Sequence, residues 1–158
     1  MYILSGITYS YSVRGNLLLN DPEKMITEVE HFKRAGGGTI CELSVVGMRC
    51  EAHNPNHLVQ ISRAAGVNII HGTGFYLESF LPEEAKLLSV REMADFMVGE
   101  ILRGVGGSDV RCGAVYIGCS WPLADSERRA LQAATLVQRE TGEEAGSDIT
   151  IFLPSHIL

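Results

Sequence analysis

Helical and extended segments alternate along this chain, and the residues that punctuate them restrict the fold to parallel-sheet α/β architectures. Asp21-Pro22 supplies an N-cap and an N1 proline ahead of EKMITEVEHFKRA, where Met25, Val29 and Phe32 recur at helical spacing and Gly36-Gly37-Gly38 closes the segment. TICELSVV then reads as a buried strand. Pro55 opens a second helix, NHLVQISRAA, with Leu58, Ile61 and Ala65 on one face, and Gly66 ends it before the strand VNIIHGTG. Ser89 can cap VREMADFMVGEILRG with Glu92 at the third helical position, a capping box over a stripe of Met93, Phe96, Met97 and Ile101. GVGGSD is a turn and DVRCGAVYIG a strand. Asp125 or Ser126 begins ERRALQAATLVQRETG, where Leu131, Ala134, Leu136 and Gln138 are spread around a good helix former. DITIF is a last short strand before Pro154. Four helices alternating with apolar strands specify a parallel sheet of right-handed βαβ units. Doubly wound sheets and barrels both satisfy that pattern.

At 158 residues the chain is long enough for one domain with a real core, yet shorter than the roughly 200 residues that a whole (β/α)8 barrel requires. Apolar residues make up 46% and charged residues 20%, the balance of an ordinary globular chain, and no linker or low-complexity tract divides it. A single domain over residues 1–158 is therefore expected. The net charge of −6, with 13 Lys and Arg scattered along the sequence, leaves no basic footprint for nucleic acid. The start MYILSGITYSYSVRG lacks the basic region and long apolar core of a secretory signal. No run of about 18 apolar residues could span a bilayer. A cytoplasmic location without membrane partners is the resulting expectation. Cys41, Cys50, Cys112 and Cys119 are too few and too irregular for a disulfide scaffold and contain no CxxC pair, so they read as reduced thiols.

Several motifs carry less chemistry than they suggest. His53 and His57 are spaced i, i+4, but Pro55 between them breaks the helical geometry a shared metal would need, which makes them solvated histidines. His71, inside an apolar strand, reads as a satisfied core or mouth histidine, and His31 as a surface residue. The glycine clusters at 36–38 and 104–107 end helices and lead into strands, the reverse of a phosphate cradle. Ser120 in CSW lacks the GxSxG frame of a nucleophile.

Three strings, NIIHGTGFYLES, SVREMADFMVGEILRG and VRCGAVYIGCSWPLADSERRALQ, carry a resemblance in their order and spacing. Over residues 9–142 the chain resembles the phosphotriesterase-related branch of the metal-dependent amidohydrolases. The resemblance implies a partial TIM (β/α)8 barrel, strands two to five with their helices, followed by a divergent tail at 143–158. It further implies hydrolysis of ester or amide bonds of a small molecule, including N-acyl amino-sulfonates and N-acyl amino acids. Two divalent metals, by family zinc, would activate a bridging water.

The family's metal ligands, however, are not where its pattern places them. No HxH pair of the first-strand type occurs in this sequence. The fourth-strand bridging lysine carbamate or glutamate would fall within GAVYIGCSW, where Tyr116 stands. After Thr141-Gly142 the string EEAGSDITIFLPSHIL departs from the fifth-strand histidine pattern, and His156 is out of register. Two positions match by resemblance: Tyr76, an aromatic of the substrate pocket after the third strand, and Glu42, an acid near the end of the second. The expectation is a truncated family member that lacks its metal set and is inactive alone. The alternative is a non-catalytic half barrel whose open strand edges recruit a second copy or a partner. A complete small α/β binding module is a third reading, marked by cooperative unfolding without metal dependence.

Overall fold

A computed structural model describes residues 21–49, 54–142 and the backbone of 149–151. His53, Cys50, His156 and most of the 143–158 tail lie outside the described residues. Strands β1 (Thr39–Glu42), β2 (Asn68–Phe75), β3 (Cys112–Ile117) and β4 (Ile149–Ile151) follow the order β1-β2-β3-β4, and the chain divides into two compact units. The first comprises residues 1–42 and 49–70, the second 43–48 and 71–158.

In the first unit, helix α1 (Pro22–Arg34) starts where Asp21 accepts the Glu23 and Lys24 amides, as the Asp-Pro pair predicts. Strand β1 (Thr39–Glu42) follows, then helix α2 (Pro55–Ala65), capped by Asn54 and ended by Gly66 in the left-handed conformation. Val29, Ile61, Ala65 and Val67 form the core, with Met25, Ile26, Ile40 and Ile69 packed on it. Phe32 departs from the expected stripe: it is largely exposed, and its ring lies over Gly37, where a Cβ would come within 2.2 Å of it. A side chain at the middle glycine of the cluster would displace this ring, whereas the positive φ of the turn falls on Gly36, at 96°. His57 also departs from its expectation. The helix begins at Pro55 and carries His57 in its first turn, half-buried rather than solvated. His31 is exposed as expected.

The second unit is built on strand β2 (Asn68–Phe75), which begins in the first unit, and on strands β3 (Cys112–Ile117) and β4 (Ile149–Ile151). β2 runs parallel to β3, with Gly72 opposite Ala114, Gly74 opposite Tyr116 and Phe75 opposite Ile117, and β3 runs parallel to β4. The expected strand TICELSVV is shorter than its apolar run. Regular structure stops at Glu42, and Val46 returns only as an isolated bridge to Phe75, donating to Gly74 O at 3.1 Å and accepting from Tyr76 N–H at 2.8 Å.

A short helix α3 (Glu83–Lys86), helix α4 (Val90–Leu102) and helix α5 (Asp125–Thr141) complete the second unit. The Ser89–Glu92 capping box forms: the Ser89 amide donates to the Glu92 carboxylate at 2.8 Å, and the Glu92 amide donates to Ser89 Oγ at 3.3 Å. Met93, Met97 and Ile101 are buried as the stripe requires. Phe96 is 37% exposed and rests at the rim, its ring centroid 5.7 Å from that of Phe75. The buried side of α5 is Ala130, Ala133, Ala134, Val137 and Thr141, with Leu131 and Leu136 only partly covered. Small residues let two helices approach closely, so the alanines take the contact. Between sheet and helices lies a buried polar layer, where Thr73 Oγ1 donates to Glu100 at 2.6 Å and the Cys112 thiol donates to Gly72 O at 3.4 Å. Arg91 spans α4 and α5, pairing with Asp95 and with Glu140. No helix among the described residues is long and apolar enough to cross a membrane.

Candidate functional site

The register of β2 and β3 puts Gly72, Gly74, Ala114 and Tyr116 on the face opposite Phe75, Val115 and Ile117, which belong to the helix-facing core. At the C-terminal end of that glycine-rich face the Tyr76 and Tyr116 rings stack, with centroids 6.3 Å apart and planes inclined by 20°. Phe80 tilts against Tyr76 at 5.3 Å. Glycine is what permits this closeness. A Cβ on Gly118 would stand 2.9 Å from both Leu77 N and Tyr76 Cδ2, so the segment after β3 lies directly under the segment after β2.

Beyond this wall, the loop Cys119–Ala124, which contains a cis Trp121-Pro122 bond, is held by Glu127. The Glu127 side chain is 1% exposed and its carboxylate accepts four hydrogen bonds. These come from Ser120 N–H at 2.8 Å, Ser120 Oγ at 2.7 Å, Glu78 N–H at 3.0 Å and Ala124 N–H at 3.2 Å. Burial by itself raises this carboxyl, but the backbone amides of Ser120, Glu78 and Ala124 together with the Ser120 hydroxyl outweigh it and hold the group below its ordinary value of 4.5. The Glu78 carboxyl is likewise lowered, chiefly by Ser126, whose hydroxyl and amide donate to it at 2.6 and 3.2 Å.

A pH dependence follows, with its sign fixed by that depression. A carboxyl lowered in the folded state stabilises fully above its ordinary value and loses that stabilisation as pH falls through the depressed one. The urea midpoint of the wild type is expected to drop as pH falls below 4.5, and Glu127→Gln to show a shallower drop. Equal slopes for the two proteins would contradict the assignment.

Each residue singled out from the sequence has a definite place. Tyr76 and Tyr116 come together. Glu42 ends β1, half-buried, within the first unit. His71 is buried in β2, at 2% exposure, opposite Cys112. Ser120 Oγ has its proton committed to Glu127 or to Pro122 O, 2.9 Å away, so it serves the loop rather than a nucleophile's role. Cys41, Cys112 and Cys119 are not joined in disulfides. The clusters at 36–38 and 104–107 are cap and turn, Gly104 being required because a Cβ there would stand 2.0 Å from Ser108 O. Glu78, Glu100 and Glu127 were missed by sequence reasoning. For Glu127 one signal was available, its place three residues into a helix whose cap residue is Ala124.

The described residues do not fit a two-metal centre. Among the described residues, no three His, Cys, Asp or Glu side chains converge as a metal would require. Tyr116, which stands in the region of the expected bridge, has its phenol raised above the ordinary value of 10.0 by burial first, then by Tyr76 and Cys119. A protonated phenol offers one neutral oxygen where a bridge needs two anionic ones.

A model of the phosphotriesterase family matches residues 6–150. A phosphotriesterase-related protein of Nematostella vectensis is 38% identical over 92% of this chain and 48% of its own length. N-acetyltaurine hydrolase of Homo sapiens is 33% identical over 94% of this chain and 48% of its own. The chain thus spans about half the length of the curated relatives it matches. Among solved structures, a resiniferatoxin-binding protein from Rhodobacter sphaeroides aligns at TM-score 0.72 and 36% identity, over 77% of this chain and 34% of that one. The phosphotriesterase homology protein from Escherichia coli, complexed with phosphate in its active site, aligns at TM-score 0.75 and 26% identity, over 84% of this chain and 44% of that one.

Proposed function

Since the chain belongs to the phosphotriesterase family and carries part of a TIM barrel, we propose that it is the second-to-fifth-strand portion of a hydrolase acting on ester or amide bonds. N-acyl amino-sulfonates, the class of N-acetyltaurine, are the proposed substrates. The family match over residues 6–150, with relatives named N-acetyltaurine hydrolase, carries this reading. Residues 1–158 act in it as one barrel segment with a divergent tail at 143–158, in the cytoplasm. Tyr76 and Glu42 are the proposed substrate-pocket residues, Tyr76 as an aromatic after the third barrel strand and Glu42 as an acid near the end of the second. The family's metal dependence, in this reading on two zinc ions, is met by ligands other than the described residues, and the chain taken alone is inactive.

The second reading is a half barrel that associates with itself or with a partner instead of catalysing. Its support is the glycine-rich face of β2 and β3, opposite the helix-facing core. Capture of the endogenous protein with an antibody against residues 90–102, followed by intact mass and an N-acetyltaurine hydrolysis assay, separates the two. Turnover by a captured species heavier than 17.2 kDa supports the hydrolase. A 17.2 kDa species that hydrolyses nothing and sediments as an oligomer supports the half barrel. Turnover by the 17.2 kDa species alone would overturn the claim of inactivity.

A further inference from the structure

Two carboxylates in the second unit serve the N-terminus of α5, whose cap residue Ala124 has no side-chain acceptor, and in doing so join it to a turn far away in sequence. Glu78 opens the single 3-10 turn that follows β2, and Glu127 sits in the first turn of α5, which follows β3. Each accepts hydrogen bonds from the other's segment. Glu78 donates its backbone N–H to Glu127 Oε1 at 3.0 Å, while Ser126 donates its N–H and hydroxyl to Glu78 Oε2 at 3.2 and 2.6 Å. An ordinary capping carboxylate would serve only its own helix, as Glu127 does with the Ala124 amide. Here the second oxygen of Glu127 also holds Ser120, at the head of the Trp121-Pro122 loop, and the first reaches a turn 49 residues away.

We propose that Glu78 and Glu127 form a reciprocal lock that joins the segments after β2 and β3 into one unit, and that they are positioning residues for the Tyr76–Tyr116 wall. The connection between lock and wall is short. Tyr76 is two residues from Glu78 and packs on Gly118, and Gly118 donates its N–H to Phe75 O at 2.9 Å and lies two residues from Ser120. Tyr76 stands outside any regular element; its N–H donates to the Val46 carbonyl at 2.8 Å, and the locked turn begins two residues after it. Releasing Glu78 therefore loosens the segment that follows the ring and carries Phe80, which tilts against it. Charge-assisted bonds are stronger than neutral ones, and a side chain on a loop is held in place only as well as the residues that support it. The functional meaning of the wall rests on the hydrolase reading above; the lock itself does not.

Amide hydrogen exchange on the full 158-residue chain, with NMR contacts between the Tyr76 and Tyr116 rings, tests this. In Glu127→Gln, protection at the Glu78 and Ser120 amides is expected to fall about tenfold or more, as loss of a charge-assisted hydrogen bond implies, with weakened Tyr76–Tyr116 contacts. Amides of Val115 and Met97 should keep their protection. Glu78→Gln reads the same lock from the other side and should loosen Ser126 and the Tyr76 ring even if Glu127→Gln unfolds. Protection lost only at Ala124 in Glu127→Gln, or lost equally at Val115 and Met97 in both variants, would overturn the proposal. So would unchanged Tyr76–Tyr116 contacts in both. None of these readouts depends on turnover, so failure of the hydrolase reading would leave them intact, and the reverse also holds.

Discussion

Gly74→Ala is expected to cost about 3 kcal/mol or more in the stability of the second unit, combining left-handed backbone strain with forced separation of two strands. Gly74 has φ 136°, and a Cβ built on it would lie 2.0 Å from the Tyr116 carbonyl oxygen and 2.9 Å from its carbonyl carbon. Both are backbone atoms of the paired strand, so no rotamer change relieves the contact. The strands would have to part where Tyr76 and Tyr116 stack, and the variant should lose the wall along with stability. Gly66→Ala is the control: its φ is 63°, but nothing lies within 4 Å, so only the conformational penalty of about 1 kcal/mol applies. Urea unfolding of both variants measures the difference. Equal midpoints for the two would mean that the close approach of β2 and β3 at Gly74 is not a constraint.

Met97→Ala is expected to destabilise by about 2–5 kcal/mol, the range for emptying a fully buried Met site. Met97 is 0% exposed and packs among Phe75, Met93, Ile117, Ala133 and Val137, in the layer that the strands and the two long helices share. The facing side of α5 is largely alanine, which cannot swing into a vacated volume, so the cavity should stay open and place the loss toward the upper part of that range. Phe96→Ala, one position earlier and at the rim, should cost clearly less despite removing more atoms. Chemical denaturation of the pair decides this. A larger loss for Phe96→Ala would place the core elsewhere.

Local signals were readable in the sequence and long-range ones were not. Asp21-Pro22, Ser89 with Glu92, and Gly66 act within four residues of themselves, and their side chains do what their types dictate. The parallel character of β2 and β3 followed from the helix between them. Phe96 was misplaced because a stripe two residues wide does not say which member lies at its edge. The contact face of α5 was not singled out, since Leu131, Ala134, Leu136 and Gln138 lie all around the helix, whereas helix contact rewards the small size of its alanines. The Glu78–Glu127 reciprocity joins residues 49 apart, and no spacing rule spans that interval. Tyr76 and Tyr116 were each singled out by resemblance for separate reasons. Their stacking emerges only from the register that sets Gly74 opposite Tyr116.

Zinc stoichiometry is the most direct test of the central claim, that this stretch of a phosphotriesterase-family barrel does not itself assemble the metal centre. The 158-residue chain, purified with excess zinc and then desalted, should retain no stoichiometric metal by native mass spectrometry, and zinc should leave its urea midpoint unchanged. Two tightly held zinc ions per chain, raising that midpoint, would contradict the account and require ligands that the described residues do not supply.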